Sequence, residues 1–98
     1  MTNSEDFLVL KRVYLNPKKH NNTGNVRVNG LITDHLPHRL EICIYENTPN
    51  EIYLLRLEST EKTDDSIDDT WHPSIKSAIK QAKYEFNVNP KDWEDLAH

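Results

Sequence analysis

Four groups of side chains in this 98-residue chain carry reactive chemistry at suggestive spacings. The first is His72, preceded by Asp68, Asp69 and Trp71 and followed by Pro73. An imidazole beside carboxylates at a helix start has the parts of a general acid–base site, so a small hydrolase or metal-dependent site on His72 and Asp69 is one reading. The second is His35 and His38, which flank Leu36-Pro37. Two imidazoles hold a metal only with further ligands, here from His20 or the acidic segment. The third is that acidic segment, with Asp64, Asp65, Asp68 and Asp69. It lacks the alternating Asp order, the glycine and the distal glutamate of a calcium loop, and reads better as a negative patch for a basic partner. The fourth is Lys76, Lys80 and Lys83, at i, i+4 and i+7 on one helical stripe that could meet phosphates. No aromatic residues alternate with these lysines to stack bases, which weakens the nucleic-acid reading.

Each group also has a purely structural reading, and that reading is preferred. Trp71 and Pro73 suit the joint between a sheet and a helix, with Trp71 as the packing anchor. His72 suits a cap or a carboxylate-bound role. The lysine stripe suits the wet side of a helix. Trp93 is expected to pin a C-terminal turn onto the domain. Cys43 lies mid-strand between Ile42 and Ile44, where nothing activates a thiolate. Ser59, Ser66 and Ser74 have no nucleophile-elbow context. Two glycines, Gly24 and Gly30, cannot build a phosphate-cradling loop. No catalytic set, metal-ligand set or cofactor motif is therefore assigned.

Asp69-Thr70-Trp71-His72, with Ser74, Ile75, Ala78, Gln81-Ala82, Tyr84-Glu85-Phe86 and Trp93, resembles the C-terminal half of small bacterial proteins of unassigned function. In those, an Asp-Thr-Trp-His turn precedes a helix of the pattern A-x-x-Q-A-x-x-E-F. The resemblance covers residues 69–93. It departs at Pro73 and Ser77, where acidic residues would complete a capping box. It implies a fold and a prokaryotic origin, and no activity.

The elements that must position these groups follow from composition and period. The chain is 36% hydrophobic and 29% charged, enough for one domain over residues 1–98 with one modest core. Net charge is -4, and the acidity belongs to the second half. Residues 1–50 hold six Lys/Arg against five Asp/Glu, and residues 51–98 hold six against eleven. That balance disfavours general nucleic-acid binding. The lone Cys43 fits a reducing compartment. The polar start, Met1-Thr2-Asn3-Ser4-Glu5-Asp6, lacks the order of a signal peptide, and no apolar run approaches a membrane span. A bacterial or phage cytoplasm is the expected setting.

Period-two patterning predicts strands over Phe7–Leu15, Val26–Thr33, Arg39–Glu46 and Glu51–Glu58, and a short fifth at Thr70-Trp71 after an acidic loop. In the first strand, Phe7, Val9, Val13 and Leu15 share a face that Lys11 interrupts. Short connections make the sheet, residues 6–71, an antiparallel meander. The period then becomes 3.6: Ile75, Ala78, Ile79, Ala82 and Phe86 form one apolar stripe, placing a helix over residues 73–87. Its cap is either His72 or Ser74. Asn89-Pro90 starts a short helical turn over residues 90–96.

The expected architecture is α+β: a four- to five-stranded antiparallel meander with one C-terminal helix on one face. One helix cannot cover both faces of such a sheet. The leftover apolar face predicts a protein partner or a homodimer, hence a non-enzymatic interaction module of the inhibitor or immunity type.

Overall fold

Alternating apolar residues zip into an antiparallel sheet. In the computed structural model, which describes residues 7–24, 36–46, 48–57 and 66–96, β1 (Phe7–Tyr14) pairs with β2 (Arg39–Tyr45). Strand β2 pairs with β3 (Thr48–Leu57), and β3 with β4 (Ser66–His72). A two-residue strand, β5 (Glu94–Asp95), pairs with Lys11 and Arg12 on the other side of β1. The order is β4-β3-β2-β1-β5. One helix, α1 (Ile75–Phe86), packs against β3 and β4. The fold class is the one expected, α+β, with one helix among the described residues packed on one sheet face.

The helix is well specified at both ends. Ser74, not His72, is the N-cap, and its Oγ accepts the Ser77 N–H at 3.0 Å. Pro73 therefore precedes the cap rather than entering the first turn. Asn87 ends the helix in the left-handed region (φ 61°), and its N–H reaches the Lys83 carbonyl at 2.9 Å. The next carbonyls are taken by a distant loop. Asn21 N–H donates to Phe86 O and Thr23 N–H to Glu85 O, while Thr23 Oγ1 donates to Tyr84 O at 2.6 Å.

The apolar stripe lands as predicted. Ala78, Ala82 and Phe86 are buried with Val13, Leu40, Ile42, Ile52, Leu54, Val88 and Trp93, and Ile75 and Ile79 pack at the margin. Each fully buried Leu or Ile contributes about 1.5–3 kcal/mol, so Leu40, Ile42 and Leu54 dominate this core. The opposite face carries a second cluster of Cys43, Leu55 and Leu57, with Val9 and Tyr53 against it.

Several boundaries differ from the sequence reading. The register of β1 shifts between Val9 and Lys11, so Val9 faces Cys43 while Val13 faces Leu40. Val9 and Val13 thus lie on opposite faces; a β-bulge absorbs the interruption at Lys11. Strand β4 begins at Ser66, well before Thr70, because its register on β3 runs from Ser66–Leu57 to His72–Ile52. The C-terminal turn is one 3₁₀ turn, Pro90–Asp92, after which Glu94 and Asp95 extend as β5. The predicted strand Val26–Thr33 lies outside the described residues. Strand β1 bonds directly to Arg39–Tyr45.

The outer face is also less open than expected. Cys43 and Leu57 are fully buried and Leu55 nearly so within the single chain. The apolar surface left for a partner is therefore narrower than pattern counting suggests.

Candidate functional site

Strand alternation separates the two residues of the first candidate site. His72 lies opposite Ile52 and faces the helix, whereas Asp69 lies opposite Leu55 and faces away from it. His72 is buried, with Nε2 2.7 Å from Thr70 Oγ1 and Nδ1 3.2 Å from Ser77 Oγ. Thr70 Oγ1 also accepts from Arg56 Nη1 at 3.3 Å. Thr70 Oγ1 thus links the His72 ring to the Arg56 guanidinium. His72 ties β4 to α1 through Ser77.

The loop histidines fare no better. His38 N–H donates to Leu57 O, so His38 stands at the end of β3 away from Ile52 and His72, about 17 Å along the strand. Its ring meets Tyr14 edge-on at 5.6 Å. His35 lies outside the described residues. Among the described residues, no three His, Cys, Asp or Glu side chains are grouped to hold a metal ion.

His20 instead finds Asp92. The pair sits in a cleft of about 280 Å³ at the β1 edge, lined also by Arg12, Tyr14, Lys19 and Glu94. His20 Nδ1 accepts the Asn16 N–H at 3.0 Å, so Nε2 carries the proton and donates to Asp92 Oδ2 at 3.0 Å. A histidine–aspartate pair of this kind serves catalysis only when the second ring nitrogen is open to a nucleophile. Here a backbone N–H fills it. Burial works against the Asp92 charge, but hydrogen bonds from His20, the Asn89 N–H and Lys19, with the lysine charge, outweigh it. The carboxyl is held down at about 2. The pair pins the loop after β1 to the C-terminal turn.

Two further polar clusters are buried. Glu41 Oε2 accepts from Arg12 Nε at 2.8 Å and Arg39 Nε at 3.0 Å, while its Oε1 is buried without a hydrogen-bond partner. Arg56 grips Glu85 of the helix through Nε at 2.9 Å and Nη2 at 2.6 Å, and Gln81 adds a bond to the same carboxylate. Pattern reading missed both clusters. The signal was present: a charged residue inside Leu54-Leu55-Arg56-Leu57, and another between Leu40 and Ile42. Buried charge demands a partner, but sequence does not say which.

The remaining candidates lie at the surface. Lys76, Lys80 and Lys83 are exposed on the helix, as a solvated stripe would be, and Lys83 Nζ donates to Asn89 Oδ1. Asp64 and Asp65 lie outside the described residues. Asp68 is described only by its backbone place opposite Arg56. Trp93 is buried and packs in the main core. Trp71 is not the expected anchor. It is 55% exposed, because strand alternation turns it away from the helix.

On that outer face Trp71 stands directly opposite Tyr53, and the Tyr53 and Tyr45 rings meet edge-on at 5.2 Å. Tyr53 Oη donates to Glu51 Oε1 at 2.9 Å; that bond, with burial and the Glu51 charge, raises the phenol's pKa. Asp69, exposed, lies two residues before Trp71 on the same face. Beneath the aromatics Cys43 is sealed; burial first, then the Glu41 and Asp69 charges, push its thiol up to about 12.

Comparison with protein-family models, curated proteins and solved structures gives no match. Among the described residues no helix is long and apolar enough to cross a membrane.

Proposed function

We propose that this chain is a non-enzymatic interaction module whose outer sheet face, around Trp71, meets another protein or a second copy of itself. The observation that carries the reading is the exposed indole of Trp71 set opposite Tyr53 on the face away from the helix. Large exposed aromatics grouped on a rigid strand surface are costly to leave in water and are enriched where proteins meet. The engagement of the described histidines in structural contacts supports a binding role over catalysis. An inhibitor or immunity-type protein of a prokaryotic or phage cytoplasm is the setting that suits this size and acidity.

The test is site-specific photo-crosslinking in cells expressing the full chain. A crosslinker in place of Trp71 is expected to give a discrete adduct, and one in place of Lys80 on the helix is not. Equal labelling from both positions, or none from either, would overturn the reading.

A further inference from the structure

The outer face has a chemical bias that narrows its partner. Two cross-strand rows lie side by side there. One runs Val9, Cys43, Tyr53, Trp71; the next runs Arg12, Glu41, Leu55, Asp69. In the second row the cation Arg12 is tied to Glu41 by its Nε. It is three strands from Asp69, about 14 Å. Asp69 itself makes no ion pair or hydrogen bond with any described residue. Glu51, two residues before Tyr53 on the same strand face, is held by the Tyr53 hydroxyl. The aromatic pair is thus bordered by carboxylate on both sides along the strands.

An exposed indole face beside an unpaired carboxylate is suited to one kind of side chain. A guanidinium stacks flat on an aromatic ring, is weakly hydrated, and presents a fork of N–H donors to a carboxylate. A compact ammonium does the second of these without the first. We propose that this face takes an arginine side chain from a basic protein, its guanidinium laid on Trp71 and paired with Asp69. The inference rests on the interaction-module reading and names the partner's chemistry. Charge supports it beyond the contact itself: residues 51–98, which include both β4 and most of β3, hold eleven acidic residues against six basic ones. Such a field attracts basic partners and repels nucleic acid.

The test uses a synthetic peptide of alternating arginine and glycine, with lysine–glycine and aspartate–glycine counterparts. In the Trp93→Phe variant the emission reports Trp71 alone. If that variant does not fold, the backbone amide shifts of Tyr53, Asp69 and Trp71 in the unaltered chain report the same event. The arginine peptide is expected to give a saturable change, about fivefold to tenfold tighter than the lysine peptide. Asp69→Asn is expected to weaken it about fivefold, and salt to weaken it further. No change at millimolar arginine peptide, or an equal response to the aspartate peptide, overturns the assignment. Sedimentation separates this failure from failure of the underlying reading. Self-association that Trp71→Ala abolishes, without arginine binding, removes the arginine and keeps the module. A monomer that binds no peptide and crosslinks nothing ends both.

Discussion

Arg56 of β3 and Glu85 of α1 face each other across the sheet–helix interface in a two-pronged ion pair, 2.9 and 2.6 Å, with both side chains about 95% shut from solvent. The pair lies between the sheet and the helix, with Thr70 bonded to Arg56 and Gln81 to Glu85. Removing either partner leaves the other buried and uncompensated, which costs about 3–5 kcal/mol. Arg56→Met and Glu85→Leu are each expected to destabilise by that amount in urea titrations. The double variant is expected to recover most of the loss, because two packed apolar side chains need no counter-charge.

The two tryptophans are expected to behave oppositely. Trp93→Ala opens a cavity in the main core and should cost about 3–5 kcal/mol. Trp71→Ala removes a side chain that is more than half exposed and should stay within about 0.5 kcal/mol. Denaturation midpoints of the two variants, measured at the same slope, decide this.

Acid should act through Asp92. Its folded pKa, about 2, lies below the ordinary 3.8, so the fold prefers the charged form. The stabilisation is complete above about pH 4 and is lost as pH falls through 2, a contribution on the order of 1–2 kcal/mol. Asp92→Asn is expected to lower stability at neutral pH and to converge with the parent chain near pH 2. A constant gap across that window would contradict the linkage.

Cys43 should be silent in the native chain. Its thiol is fully buried and held near 12, so little thiolate exists at pH 8 and none is reachable. Alkylation by iodoacetamide is expected to run roughly a hundredfold slower than in urea and to track unfolding. Mass spectrometry of timed samples reads this directly.

Local chemistry accounts for what could be read in advance. The helix was legible because Ile75, Ala78, Ile79, Ala82 and Phe86 repeat at one period and Ser74 is a strong cap. The antiparallel class was legible because strands alternate and β2, ending at Tyr45, is followed almost at once by β3 from Thr48. The face of Trp71 was not. Its orientation depends on β4 starting at Ser66 and on the register that sets it opposite Tyr53, and a polar acidic run hides both. The bulge at Val9/Lys11 was half visible as a broken pattern, but an interrupted alternation does not announce which side is interrupted. The His20–Asp92 pair joins residues 72 positions apart, and no local signal carries that information.

That last separation has a consequence for how the chain acquires its shape. Strand β1 is closed on one side by β5, with Lys11 paired to Asp95 at a separation of 84 positions. The loop after β1 is anchored to Asp92 and to the carbonyl end of the helix. A ribosome therefore releases the first strand long before it supplies the segments that lock it. Strand β1, made before the segments that hold it, is among the last parts of this fold to become secure, and long-range closure of this kind slows folding.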